Sequence, residues 1–124
     1  MMKSVKDLKV YKMAFKISLD IYKLTEKILR CEQFGLVSQM RRAVVSFCSN
    51  LVEGASRGTT KEYLHFAHVA KGSVSELGCR INLSVALGFI NEPFAKKLKN
   101  DINEILRLLS GLVNTLTLAT NTNH

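Results

Sequence analysis

The chain has 124 residues, 47% hydrophobic and 23% charged, enough for one domain with a buried core and too few for two. Its net charge of +8 and pI near 9.6 favour polyanionic partners without dictating a fold. No apolar run approaches the roughly 20 residues of a membrane-spanning helix, and the lysine-rich opening Met1–Asp7 lacks the apolar core and cleavage site of a secretory signal.

With one proline and seven glycines, the composition favours long helices over a sheet of many turns. The first helix is expected over about 7–29. Val10, Ala14, Ile17, Ile21, Leu24 and Ile28 recur at spacings of four and three, with Leu8, Tyr11, Phe15 and Tyr22 widening the stripe on one side. Gly35 is the expected turn residue. The second helix, about 36–55, has a seam of Val37, Met40, Val44, Phe47 and Leu51, while Val45, Cys48 and Val52 make a second apolar face. Both faces need burial, either at a subunit interface or through a central place in the bundle.

Gly54 and Gly58 end that helix. Thr59-Thr60-Lys61-Glu62 reads as a capping box opening a third helix over about 60–87. Tyr63, Ala67, Ala70, Val74, Leu77 and Ile81 form its seam, its small residues permit close helix approach, and Gly88 is placed to cap its end. Asn91 and Pro93 open a fourth helix over about 92–116, with Leu98, Ile102, Ile105, Leu109, Leu112 and Leu116 inward. The polar end, 117–124, is expected to fray. Four such helices with short connections imply an all-α, antiparallel up-down-up-down bundle in a single domain.

Phe34-Gly35-Leu36-Val37-Ser38-Gln39-Met40-Arg41-Arg42-Ala43-Val44-Val45-Ser46, then Ser49-Asn50-Leu51-Val52-Glu53-Gly54, resembles the signature of a bacterial four-helix-bundle family, the 23S rRNA intervening-sequence (S23-like) proteins. Asp7–Tyr11, Lys61-Glu62-Tyr63, Ala70–Ser73 with Glu76-Leu77, and Leu87–Ile90 resemble its other motifs in the same order. The resemblance implies a ring-shaped homo-oligomer, a homopentamer in the family. It also implies kinship with the accessory protein of diversity-generating retroelements, which is thought to bind nucleic acid and a reverse transcriptase. The chain departs from the pattern at Cys48, where the family usually has proline. Proline would remove a backbone hydrogen bond and bend the second helix, so a weaker bend is expected here.

The leading candidate site is electrostatic. Lys9, Lys12, Lys16, Lys23, Lys27 and Arg30 are expected on the face of the first helix opposite its apolar seam, with Asp20 the only acid in the row. Such a line of cations suits phosphates, or is simply a solvated face. Arg41, Arg42 and Arg57 make a second basic group suited to phosphate or carboxylate. Asn50 and Glu53 read as buried polar fasteners, Glu53 through an ion pair with an arginine.

No catalytic residue, cofactor or metal site is expected. Glu62-x-x-His65 has the spacing of di-iron bundles but occurs once, and His65 with His68 offers at most a fortuitous surface metal site, the two reading as ordinary polar residues of the third helix. No phosphate loop or nucleophile elbow is present. The three cysteines, Cys31, Cys48 and Cys79, are odd in number and unpaired in spacing, which fits a reducing, cytoplasmic setting. Apolar surroundings should raise the Cys48 pKa and leave it inert. The expectation is a non-enzymatic oligomer that binds RNA or DNA through basic helix faces. The alternative is a scaffold whose partner is another protein, such as a neighbour-encoded enzyme.

Overall fold

A period of 3.6 residues carries Val10, Ala14, Ile17, Ile21, Leu24 and Ile28 onto one side of a helix, and in the computed structural model all six are buried on α1, Val5–Glu32. The structure describes residues 5–32 and 35–122, with side chains described over 7–28 and 35–121. After α1 come α2 (Leu36–Ala55), α3 (Thr60–Ala86) and α4 (Glu92–Thr122). No strand occurs among the described residues. No helix among them is long and apolar enough to cross a membrane.

The helices form a four-cornered bundle in which α1 packs on α2 and α4, and α3 packs on α2 and α4. Residue pairs show each neighbour to be antiparallel. Thr25 meets Arg41 while Ser18 meets Cys48 across α1 and α2. Lys9 meets Glu104 while Lys16 meets Asp101 across α1 and α4. Phe47, Met40, Ile17, Ile21, Leu77, Ile81, Leu98 and Ile105 fill the centre.

The helix ends carry local chemistry that fixes the connections. Thr59 caps α3, its hydroxyl accepting from the Glu62 amide at 3.2 Å and donating to the Glu62 carboxylate at 3.0 Å. Gly88 takes φ +85°, open to glycine at little cost. The Gly88 amide then reaches Val85 O and the Phe89 amide Ser84 O, the two bonds of a Schellman ending. Asn91 Oδ1 accepts from the Phe94 amide at 3.1 Å and starts α4.

At Gly54 the helices α2 and α3 approach closely. A Cβ there would stand 2.7 Å from Phe66 Cβ and 3.0 Å from Tyr63 Cδ1. The residue that lets α2 and α3 meet so closely is thus on α2, whereas Gly72 of the small-residue third helix faces open space.

Four expectations are corrected. Residues 117–122 are helical, because Val113 and Leu116 bury against Ala55, Tyr63 and Ala67 and the Thr117 and Thr120 hydroxyls bond back to the carbonyls of Val113 and Leu116. Residues 123 and 124 lie outside the described residues. The flank of α1 does not widen the buried stripe: Leu8, Phe15 and Tyr22 are exposed, and Tyr11 is half-buried. The reason is that α1 has neighbours on two sides only. Glu53 is exposed and pairs with Arg57 at 2.7 Å within its own chain segment. Lastly, α1 extends to Glu32, beyond its expected end near residue 29.

Candidate nucleic-acid interface

The heptad arithmetic of α1 divides its surface into a buried seam, a lysine row beside α4 and an outer apolar row beside α2. Lys9, Lys12, Lys16, Lys23 and Lys27 are all exposed, as a row off the seam requires. Arg30 lies outside the residues whose side chains are described.

The five lysines are not equivalent. Lys9 pairs with Glu104 of α4 at 3.3 Å, and Lys16 lies between Asp20 at 3.1 Å and Asp101 at 3.6 Å. The Asp20 hydrogen bond and charge hold the Lys16 ammonium above the ordinary lysine range. Arg107, helped by Lys9, holds the Glu104 carboxyl below the usual carboxylate range. Lys12, Lys23 and Lys27 make no ion pair with any described residue. Exposed ion pairs such as those of Lys9 and Lys16 are weak, yet they set a local acid beside each cation that an incoming phosphate must displace.

The acids that neutralise part of the row escape a reading of α1 alone. Asp101 and Glu104 sit three residues apart on α4 and become relevant only once the two helices are set antiparallel.

Arg41, Arg42 and Arg57 do not come together. Arg41 is half-buried between α1 and α2: its Nε donates to Thr25 Oγ1 at 2.7 Å, and its guanidinium stacks 4.5 Å from the Tyr22 ring centre. Arg57 is held by Glu53 and Glu62 and lies 4.8 Å over the Phe66 ring. Arg42 is exposed, but it shares a helix face with Ser46, whose hydroxyl meets Ser73 of α3 at 2.9 Å. It therefore projects away from the α1 lysines.

Asn50 is half-buried, and its amide donates to Ser46 O at 2.8 Å and Ser46 Oγ at 3.2 Å, extending the Ser46–Ser73 link between α2 and α3. Cys48 keeps its amide, and α2 runs unbroken through it. Its thiol lies 3.0 Å from Ser18 Oγ, and burial pushes its pKa up.

The outer apolar row joins the flank of α1, which periodicity placed in the buried stripe, to the second apolar face of α2. Phe15 is 57% exposed, Leu19 48%, Tyr22 41%, Val45 47% and Val52 44%. Tyr11, Phe15, Cys48 and Val52 line a groove of about 430 Å³ between α1 and α2. On the second apolar face of α2, Val45 and Val52 thus stand exposed, while Cys48 is half-buried against Ser18 of α1.

A metal site gains no support: among the described residues, no group of three or more His, Cys, Asp or Glu side chains gathers. Glu62 is engaged by Thr59 and Arg57, and His65 packs edge-on to Phe66.

Comparison with known proteins now adds two findings. A model of the family described as 23S rRNA-intervening sequence protein matches residues 6–111. The bundle superposes with a TM-score of 0.79 on the crystal structure of a protein of unknown function from the S23 ribosomal protein family of Bacteroides thetaiotaomicron VPI-5482. That match covers 84% of this chain and 97% of the other at 18% identity, so it carries the fold. None of the curated proteins matches this chain.

Proposed function

This chain belongs to the 23S rRNA-intervening sequence protein family, and from that premise we propose that it is a non-enzymatic, oligomeric accessory protein that binds RNA or DNA through the lysine row of α1. The observation that carries the reading is the set Lys12, Lys23 and Lys27: exposed on one helix face, without a carboxylate partner among the described residues, on a chain of net charge +8. Binding polyanion there releases condensed counterions, which drives association at low salt.

Assembly enters because three cations make a weak site. A closed ring of copies, five in the reading favoured here, would repeat the row and gain affinity through effective concentration. The exposed band of Phe15, Leu19, Tyr22, Val45 and Val52 supplies apolar surface for such contacts. The same band supports the second reading, a scaffold that docks another protein and has no nucleic-acid role.

Fluorescence anisotropy with a labelled RNA and DNA oligonucleotide tests the reading. Binding should be measurable in low salt and should weaken with log salt at a slope of about −0.7 to −0.9 per phosphate contact. Undetectable binding to both at low salt refutes it. Recovery of a protein partner after nuclease treatment would then favour the scaffold.

A further inference from the structure

Beyond the lysine row, one concavity joins cations to aromatic rings. At the end of the bundle where the turn from α3 meets α4, a groove of about 460 Å³ lies against the later half of α1. That volume falls in the range of roughly 300–1,000 Å³ usual for small-molecule sites. Its floor is Leu24, Ile28 and Ile90, all buried, and the half-buried rings of Phe89 and Phe94 wall it. Lys23 and Lys27 stand on its rim, one helical turn apart. Asp20 also reaches it, with its charge answered by Lys16 at 3.1 Å.

Both rings are held in place by backbone chemistry rather than left on a loose loop. Phe89 follows the left-handed Gly88, and its amide is fixed to Ser84 O at 2.9 Å. Phe94 sits three residues into the cap made by Asn91. An apolar, aromatic slot beside two unpaired cations is complementary to a ligand with a flat π-face next to negative charge. That is the chemistry of an unstacked base beside its phosphates.

Resting on the nucleic-acid reading above, we infer that this end groove seats an unpaired base of a single-stranded polynucleotide, with Phe94 and Phe89 as the stacking wall and Lys23 and Lys27 on the flanking phosphates. A paired base in a duplex cannot enter, so the groove makes the protein prefer single strands or frayed ends over blunt duplex. Lys12, farther along the row, contacts backbone in either form.

The test compares an unstructured oligonucleotide with a blunt duplex of the same length at fixed low salt. Because Phe94 packs partly on the core, F94L is the informative variant, keeping apolar bulk while removing the π-face. It should lower single-strand affinity about tenfold or more and leave duplex affinity unchanged. The chain has no tryptophan, so F94W gives a single reporter whose emission should be quenched by the single strand and not by the duplex. Equal affinity for both forms, with F94L neutral and F94W emission unmoved while K12E still weakens binding, overturns the groove and leaves the lysine row standing. Quenching by AMP alone, without single-strand preference, overturns the polynucleotide assignment. No binding of any form would instead refute the underlying nucleic-acid reading.

Discussion

Arg41 and Lys12 are both cations beside α1, and the structure gives them opposite work. Arg41 fastens α1 to α2 through Thr25 Oγ1 and the Tyr22 ring, whereas Lys12 stands free of described ion pairs. Arg41→Ala should therefore lower stability by about 1–2 kcal/mol in a denaturant titration and leave the nucleic-acid salt slope unchanged. A variant as stable as the parent would remove the clasp from the account. Cysteines divide in the same way. Burial raises the Cys48 pKa, so its thiolate appears only at higher pH than an ordinary thiol's, while Cys79 is exposed. Iodoacetamide near pH 8, followed by peptide mass spectrometry, should label Cys79 well before Cys48. At this scale the sequence was half legible. The arginine pair of Glu53 could be read from spacing. That Arg41 turns inward while Arg42 turns out could not, because both are plausible surface arginines until the neighbouring helices are placed.

At the scale of elements, periodicity and caps located most of the bundle. The seam of α1, the Thr59–Glu62 cap, the Gly88 ending and the Asn91 cap all appear where residue chemistry puts them. Two elements escaped. The end of α4 looks polar, but Val113 and Leu116 pin it to α2 and α3, and threonine hydroxyls satisfied by the preceding turn do not unwind a helix. Leu8, Phe15 and Tyr22 match a widened core stripe equally well, and only the count of neighbours around α1 shows them to be outside. Helix contact itself supplies a prediction. Gly54→Ala must push a methyl group into Phe66 and Tyr63, and should cost about 1–3 kcal/mol. Gly72→Ala meets open space in mid-helix and should stabilise by about 0.4–1 kcal/mol. Thermal melts of the two variants moving in the same direction would contradict the packing described for α2 and α3.

For the whole molecule, the charge and the uncovered apolar band describe one proposed object, a basic ring. Light scattering should give a mass several times 13.9 kDa, and a lysine at Phe15 or Val45 should reduce it toward the single chain. A parent protein that is monomeric at micromolar concentration would contradict the ring. Which lysines meet phosphate could not be ranked from the sequence, because two of the three neutralising acids, Asp101 and Glu104, lie on α4, some 85–95 positions away, and only Asp20 is on α1. The most direct measurement is the salt dependence of oligonucleotide binding for two variants. Replacing Lys12, Lys23 and Lys27 by glutamine should reduce the magnitude of the log–log slope by at least about two, while replacing Lys9 and Lys16 should change it by less than about one. Equal losses in the two variants, or a larger loss from Lys9 and Lys16, would contradict the account.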